Sequence, residues 1–355
     1  MKQKNLKIKA DLKPIQLNYY VPAEWEPHKA TWLAWPHDLE TWPDQLSEVE
    51  DTYIQMIAQL HQGEEVHILT EDSKTEKYVF EKLGQQGVTK NIFLHQIKTD
   101  SIWIRDYGPI FLTGKSGELA FTNWEFNAWG RKYDSYKFDN LVPEMLSSVV
   151  EAQEFDVNII LEGGSIDVNG FGTCMTTEQC LLNPNRNKGL KREAIEKYLK
   201  DFLGVRHVIW LKGGIAGDDT DGHIDDVARF VDRRTVVVCV EENSKDENFK
   251  ALKENLNVLF ESFDQDGKPL KVIALPMPEK IEVNRMRFPA SYTNFYVANE
   301  CVLVPIFRDK NDTKALGILK DLFPGRNVVG IPAIPLIYGQ GAIHCITQQE
   351  PVHEA

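Results

Sequence analysis

Residues 187–230 read NKGLKREAIEKYLKDFLGVRHVIWLKGGIAGDDTDGHIDDVARF. Apolar residues within 187–203 recur at the spacing of one helical face, and Gly204 follows where a helix commonly ends. The apolar stretch VRHVIWL (205–211) then predicts a buried strand, and a segment rich in glycine and aspartate comes directly after it. This order of helix, strand and polar motif predicts an α/β unit with functional residues at the end of its strand.

The same order recurs at four other places along the chain. Helices predicted near 74–83, 138–150, 246–260 and 312–323 lead into strands predicted near 91–97, 157–161, 271–275 and 327–331. The motifs after those strands are SIWIRDYGP, EGGSIDVNG, NRMRFPASYTN and GQGAIHC, and one extra helix–strand pair (47–62, 65–70) precedes them. Repeated units of this kind commonly close into a ring or stack as an array, and a ring would bring all five motifs to one central site.

An open, doubly wound sheet also alternates helix and strand, and it is the alternative architecture at this point. No linker or low-complexity stretch divides the chain. We therefore expect one catalytic domain over residues 1–355, with residues 1–18 as an N-terminal extension.

The composition excludes several classes of protein. The chain is 42% hydrophobic and carries a net charge of −13, which argues against nucleic acid as a partner because nucleic-acid binding depends on clustered lysine and arginine. The basic N-terminus has no apolar stretch of the kind found in secretory signals, and no apolar run is long enough for a transmembrane helix. The five cysteines are scattered and odd in number, which is not typical of a disulfide framework or a zinc site. We expect a cytoplasmic protein with free thiols and no membrane partner.

Cys345 is a candidate nucleophile. It lies in GQGAIHCITQQ, with glycines and a histidine beside it. A reactive thiolate requires positive charge or a helix N-terminus nearby, and the alternative is a buried structural cysteine in a final strand. On such a strand His344 would face the opposite way, which makes it a poor partner for Cys345.

The segment GDDTDGHIDD (217–226) offers a better base. If residues 223–230 begin as a strand, His223 and Asp225 share one face and together can carry protons and hold a cation. The many carboxylates of this segment could also bind a hard divalent metal or form a solvated acidic turn, although the segment does not match an EF-hand loop.

Three further candidates follow other strands. WIRDYGP places the Asp106 carboxylate near Trp103, and a carboxylate beside an aromatic face suits a flat cation. Asp106 could instead form a structural ion pair with its neighbour Arg105. LEGGSIDVNG places Glu162 at a strand end, either as an edge residue or as a group that orients a histidine.

Taken together, the motifs resemble those of the agmatine deiminases, in the bacterial-type peptidyl-arginine deiminase family. The similar segments are PAEWEPHKATWLAWPH, WIRDYGP, LEGGSIDVNG, GDDTDGHIDD, NRMRFPASYTNF and HCITQQEP, in the order of the family and over residues 19–351. The resemblance implies the pentein fold, a five-bladed α/β propeller. It also implies hydrolysis of agmatine to N-carbamoylputrescine and ammonia, a step towards putrescine, with no metal and no other cofactor.

The resemblance also implies roles for individual residues. Cys345 would be the nucleophile, which forms a covalent S-amidino intermediate, and His223 would be the general acid and base. Asp106 and Asp225 would bind the guanidinium, Asp219 would be a further contact with agmatine, and Glu162 would orient His223. The expected partner is a small cationic guanidine, and a homo-oligomer is possible.

One departure from the family pattern precedes the nucleophile. The family usually reads GGGNIHC where this chain reads GQGAIHC, so that Gln340 replaces a glycine and Ala342 an asparagine. This puts backbone freedom, turnover rate and substrate choice in question.

The alternative functions are a deiminase for peptidyl-arginine or another guanidinoalkyl amine, a non-catalytic guanidine-binding relative, and a metal-dependent hydrolase built on residues 218–226.

Overall fold

Five small sheets, each built to the same plan, make up the framework of the protein. The computed structural model describes residues 12–353. In each sheet a short strand runs antiparallel to a middle strand, and a helical crossover then returns the chain to a third strand parallel to the middle one. Parallel neighbours require such a crossover, which explains why helix and strand alternate in the sequence.

The strands fall in chain order around the molecule. The first sheet contains Gln348–Pro351, His28–Ala34, Glu65–Thr70 and Ile92–Gln96. The second and third contain Ile110–Thr113, Leu119–Glu125 and Gln153–Ile160, then Ile166–Val168, Thr173–Thr177 and His207–Leu211. The fourth and fifth contain Ala228–Phe230, Thr235–Val240 and Lys271–Pro276, then Tyr296–Val297, Cys301–Ile306 and Asn327–Pro332. A separate hairpin pairs Glu282–Val283 with Met286–Arg287.

Amphipathic helices form the crossovers. They span Leu46–Leu60, Ser73–Gln85, Val142–Leu146, Arg192–Leu203, Asn248–Phe260 and Asp312–Leu322. Short helical turns lie within the loops, at Ile104–Tyr107, Ala128–Arg131, Gly163–Ser165, Glu178–Leu181, Ile224–Asp226 and Ile334–Ile337. The helix Arg192–Leu203 ends as predicted, because Gly204 adopts the left-handed conformation (φ 69°) that terminates many helices.

The two chain ends close the ring. The C-terminal strand Gln348–Pro351 pairs antiparallel with His28–Ala34, and Trp32 lies opposite Gln348. The first sheet thereby acquires the antiparallel strand that each other sheet obtains from its own hairpin. This closure confirms the five-unit propeller and excludes the open doubly wound sheet.

Three local features of the structure differ from the sequence-based expectations. The helix predicted over 138–150 is a 3-10 turn followed by Val142–Leu146, because Pro143 has no backbone N–H and fits only the first turn of a helix. Residues 223–230 do not begin as a strand, because Ile224–Asp226 form a 3-10 turn and the strand starts at Ala228. Cys345 lies in a turn before the final strand, not within a strand.

The predicted extension falls partly outside the described residues, since 1–11 are not described. Pro14–Leu17 form a 3-10 turn, and Lys13 is paired with Asp201 on the helix Arg192–Leu203. The assignment of a single domain stays a prediction. Within residues 12–353, no helix has the length and apolar character needed to cross a membrane.

Candidate active site

The ring brings one turn or loop from each of the five units to a common point. Asp106 lies in the turn after the first sheet, and its Oδ1 accepts a hydrogen bond from the Gly164 N–H in the turn after the second sheet (3.0 Å). Asp225, after the third sheet, lies 3.7 Å from the Sγ of Cys345, which follows the fifth sheet. Asn294, from the loop after the fourth sheet, donates to the same sulfur at 3.1 Å.

Cys345 is nearly enclosed, with 7% of its surface exposed. Asn294 fixes its surroundings, because the Asn294 side chain donates to the sulfur and its Oδ1 accepts from the His344 N–H at 2.8 Å. Burial, together with three nearby aspartates, raises the pKa of the Cys345 thiol well above its usual value. The raised pKa favours the protonated thiol at neutral pH.

His344 does not face away from Cys345, contrary to the orientation expected of two adjacent residues on a strand. Because residues 343–346 form a turn, the His344 ring and the Cys345 sulfur approach the same Asp225 carboxylate. His344 Nδ1 lies 2.7 Å from Asp225 Oδ2, and its Nε2 lies 2.9 Å from Glu24 Oε2. Burial raises the pKa of a carboxyl group, but the hydrogen bond and charge of His344 outweigh burial and lower the pKa of Asp225.

His223 and Asp225 still meet at the site, although the shared strand face does not exist. The turn Ile224–Asp226 places both side chains inward, and both are fully buried. His223 Nδ1 lies 3.7 Å from Asp106 Oδ1. Burial lowers the pKa of an imidazole, but the Asp106 carboxylate, with contributions from Cys180 and Asp225, raises the pKa of His223 well above its usual value. This imidazole can therefore hold a proton in a buried site.

Asp106 is held by two donors. Gly164 N–H donates to its Oδ1, and the indole N–H of Trp129 donates to its Oδ2 at 2.9 Å. Burial raises the pKa of Asp106 to about 6, although the charge of His223 opposes that rise. The carboxylate is thus fixed in orientation but incompletely neutralised, which suits it to a cationic ligand.

The segment that carries Trp129 is strained. Ala128, Trp129 and Arg131 all adopt left-handed backbone angles (φ 52°, 53° and 64°), which are rare for residues with a side chain. Asn127 holds this turn, because its side chain accepts from the Gly130 N–H at 2.9 Å. The indole of Trp129 is therefore aimed at Asp106 at a conformational cost.

Gly164 occupies a position with no room for a side chain. A Cβ there would lie 2.6 Å from His223 Nδ1, 2.7 Å from Asp106 Oδ1 and 3.1 Å from Asp225 Oδ2. Three polar atoms from two units therefore surround one glycine from a third unit. The glycine permits this close approach and defines the point at which the groups meet.

Glu162 lies behind His223 and makes a different primary contact from the one expected. Its Oε1 accepts from the Arg186 Nε at 2.6 Å, whereas its Oε2 lies 3.9 Å from His223 Nε2, beyond hydrogen-bond distance. Arg186 therefore holds Glu162 in place, and the orientation of His223 by Glu162 stays a prediction.

The other two predicted contacts lie at the edge of this cluster. Asp219 is half-buried, and its Oδ2 accepts from the Tyr133 hydroxyl at 2.5 Å. Trp103 is 8% exposed and packs against Gly341, where a Cβ would lie only 2.4 Å from the indole ring. Trp103 thus supports the chain just before Cys345, and a contact of either residue with a ligand stays a prediction.

The remaining carboxylates of 218–226 have partners of their own, inside and outside this segment. Asp218 accepts from the Gly222 N–H, Asp221 pairs with Arg186 at 2.6 Å, and Asp226 accepts from Asn294 at 3.0 Å. They do not point to one centre as ligands of a hard cation would. Over residues 12–353 the one group of three potential ligands within reach of each other is Glu162, Cys180 and His223.

The departure in GQGAIHC has a structural consequence. Gln340 adopts φ 75°, a left-handed angle that glycine takes freely and other residues take at a cost of roughly 1–2 kcal/mol. Ala342, the other departure, is buried three residues before Cys345. Gln340 therefore adopts, at some cost in stability, the kind of backbone angle that favours glycine at this position.

Sequence reasoning missed Trp129, Asn294, Gly164 and Arg186 as parts of the site. Asn294 and Gly164 lie inside motifs that follow strands, so their position was a usable signal. Trp129 and Arg186 lie in loops inside the crossovers, and the sequence pattern gives no indication that these loops reach the centre.

Comparison with known proteins agrees with this geometry. Residues 20–351 match the family described as Porphyromonas-type peptidyl-arginine deiminase. The structure of an agmatine deiminase of Enterococcus faecalis is 32% identical, covers 96% of this chain and 98% of its own, and superposes with a TM-score of 0.89. A C. jejuni agmatine deiminase with substrate bound is 30% identical, covers 95% of this chain and 97% of its own, and has a TM-score of 0.86.

A more distant structure shares only the fold. An amidinotransferase from Microseira wollei is 12% identical, covers 95% of this chain and 98% of its own, and has a TM-score of 0.52. The family match, by contrast, extends over nearly the whole chain and includes every segment that contributes to the site. The chain belongs to the Porphyromonas-type peptidyl-arginine deiminase family.

Proposed function

We propose that this protein hydrolyses agmatine to N-carbamoylputrescine and ammonia. The observation that carries the proposal is the meeting of an imidazole and two carboxylates around Gly164, with the Cys345 thiol 3.7 Å from one of those carboxylates. The names of the two agmatine deiminase structures support the choice of substrate. The C. jejuni structure is a cysteine-to-serine variant with substrate bound, which supports a cysteine as the reacting group.

The guanidinium of agmatine fits the charges of the site. It is a planar cation with several N–H donors, so two carboxylates can bind its edges with paired hydrogen bonds. Asp106 and Asp225 are buried on either side of the glycine, and Asp225 Oδ1 has no hydrogen-bond partner among the described residues. The cation would supply donors to that free oxygen and neutralise the carboxylates that keep Cys345 protonated.

The first chemical step joins Cys345 to the guanidinium carbon. The C–S bond forms, the bond to one terminal nitrogen breaks, and the thiol proton completes the departing ammonia, with His223 as the carrier. An S-amidino intermediate remains. Fixed orientation of the carbon over the sulfur is the main contribution of the two aspartates, and such orientation is worth up to ~7–11 kcal/mol in ideal cases.

The second step returns the enzyme to its starting state. Water attacks the same carbon, the C–O bond forms, the C–S bond breaks and Cys345 is again a thiol. Since N-carbamoylputrescine has a neutral urea group in place of the guanidinium, one proton is released, and His223 accepts it before it reaches ammonia or solvent. Glu162 stabilises the charged imidazole by its proximity.

The burial of the site favours a small substrate over a protein. Cys345, Asp106 and Asp225 each have 7% or less of their surface exposed, so a narrow guanidinoalkyl chain can reach them more readily than an arginine in a folded protein. We also propose a cytoplasmic location, supported by five cysteines that are all unpaired. Assembly into a homo-oligomer stays a prediction.

The direct test measures ammonia release with agmatine, free arginine and an arginine-containing peptide. We expect agmatine to give the highest kcat/KM. We expect Cys345→Ala to reduce kcat by at least about 10³-fold, because it removes the nucleophile. Cys301→Ala is the matched control, since Cys301 is a buried cysteine in another part of the fold. Preference for the peptide, or full activity in Cys345→Ala, would refute the proposal.

Gly164→Ala tests the close approach around the glycine. The added methyl group must displace His223 or Asp106, and misplacement by about 1 Å can cost roughly 100-fold in rate. We expect kcat/KM to fall by at least about that factor. Gly84→Ala is the control, because Gly84 lies in the helix Ser73–Gln85 with no atom within 4 Å of an added Cβ. Equal activity of the two variants would contradict the site described above.

Trp129→Phe tests the indole hydrogen bond to Asp106. A hydrogen bond to a charged group is worth about 1.5–3 kcal/mol, so we expect kcat/KM for agmatine to fall about 10- to 100-fold. Trp124→Phe removes an indole N–H that bonds the neutral Thr122 hydroxyl at 2.8 Å, and it should leave kcat/KM within about twofold. Steady-state kinetics of both variants decide the point, and unchanged kinetics in Trp129→Phe would exclude a role for this contact.

A further inference from the structure

The side of His223 that faces away from Gly164 contains groups that the proposed reaction leaves unexplained. The donor atoms of Glu162, Cys180 and His223 all lie within 4.8 Å of one another, and all three residues are buried. Nδ1 of His223 faces Asp106, whereas Nε2 faces Glu162. The cluster therefore lies on the opposite side of the imidazole from the reacting groups.

Two atoms of the cluster lack partners. Glu162 Oε2 and His223 Nε2 are buried and accept or donate no hydrogen bond among the described residues. Their side chains are 0% and 1% exposed. Unpartnered buried polar groups are rare in folded proteins, so two of them that face one space indicate a ligand site.

The position of Cys180 is tied to the loop that carries His223. Cys180 lies in the helical turn Glu178–Leu181, and its N–H is bound by the Thr177 hydroxyl oxygen at 3.1 Å. The same Thr177 hydroxyl donates to the Gly222 carbonyl, one residue before His223, at 2.6 Å. The thiol and the imidazole are therefore held in fixed relation by one side chain.

A thiol, an imidazole and a carboxylate are the ligand types that Zn²⁺ prefers. Bond lengths of about 2.0–2.3 Å place the ligand atoms of a tetrahedral zinc site roughly 3.3–3.8 Å apart, so this cluster must contract by about 1 Å. The surrounding charge also favours a cation. Arg186 neutralises Glu162 from one side, but Asp106, Asp225 and Asp226 remain nearby as carboxyl groups.

We propose that Glu162, Cys180 and His223 form an inhibitory site for a thiophilic divalent cation such as Zn²⁺. Metal binding displaces the thiol proton of Cys180 and the Nε2 proton of the His223 imidazolium into solvent, and the freed sulfur and Nε2 lone pairs bind the metal. The metal–thiolate, metal–imidazole and metal–carboxylate bonds form without oxidation or reduction, and a water molecule completes the tetrahedron. The inhibition rests on the proposed role of His223 in proton transfer, whereas the binding of the metal does not.

The mode of inhibition follows from the geometry. The cation would lie behind the imidazole, so Asp106 and Asp225 could still bind the guanidinium. A metal-bound imidazole can no longer carry the proton between the thiol, the leaving ammonia and water. Turnover therefore stops after substrate binding. Zn²⁺ is therefore expected to lower kcat at saturating agmatine and to leave KM within about twofold.

Cobalt is the probe for binding, because Co²⁺ takes the place of Zn²⁺ and absorbs when a thiolate binds it. Titration of the full-length protein with Co²⁺ should produce a thiolate-to-metal charge-transfer band at one equivalent. The band should persist in Cys345→Ala and in the control Cys174→Ala, a buried cysteine on the strand Thr173–Thr177, and it should vanish in Cys180→Ala. Cys180→Ser is a second variant that removes the thiol with little change in size. The thermal unfolding temperature of each variant shows whether the fold is intact where the band is lost.

Each result decides the proposal. A band that survives in Cys180→Ala, or one that disappears in Cys345→Ala, would place the metal elsewhere and overturn it. In the activity assay, Cys180→Ala should require at least about tenfold more Zn²⁺ for half-inhibition, and a chelator should restore the wild-type rate. Co²⁺ binding at Cys180 in a protein that does not release ammonia from agmatine would retain the site and refute the proposed function.

Discussion

The negative charge of Asp225 in the interior of the ring is the constraint on which the rest of the site depends. A buried carboxylate requires a charged or hydrogen-bonding partner, and His344 supplies one at 2.7 Å. His344 is in turn bound by Glu24, which pairs with Arg229 at 2.8 Å. This chain of hydrogen bonds and ion pairs holds His344 against Asp225, and the contact with His344 lowers the pKa of Asp225 next to the Cys345 sulfur.

The same constraint explains how a buried thiol can serve as a nucleophile. Burial and the nearby aspartates raise the pKa of Cys345, which favours the protonated and less reactive thiol. A guanidinium between Asp106 and Asp225 would reverse the sign of the local charge. The site would thus activate its nucleophile only when the matching cation is bound, which links substrate recognition to reactivity.

Much of the architecture could be predicted from the sequence, since each unit repeats an amphipathic helix, an apolar strand and a polar motif. Placement after a strand also made Cys345, Asp106 and Glu162 candidates, because ring closure brings strand ends together, and the family resemblance supplied their roles. The start of the strand within 223–230 could not be predicted correctly. Thr220 and Asp218 turn the chain through side-chain hydrogen bonds, and the alternation of residues expected of a strand gives no sign of such a turn.

Other parts of the site depend on long-range packing. Trp129 reaches Asp106 only because Asn127 stabilises a run of left-handed residues, and no hydrophobic pattern predicts that run. Cys180 reads as an ordinary core cysteine, and its approach to His223 depends on the side chain of Thr177. The tertiary fold, not local sequence, brings these groups together.

The central claim is that the Cys345 sulfur bonds to the guanidinium carbon during turnover. The most direct test is acid quenching of the protein at early times with saturating agmatine, followed by mass analysis of the peptide that contains Cys345, in the wild type and in His223→Asn, where hydrolysis should be slower. The account predicts a Cys345 adduct with the mass of agmatine less ammonia, which disappears as agmatine is consumed. Formation of N-carbamoylputrescine with Cys345 unmodified at every quench time in both proteins would contradict it.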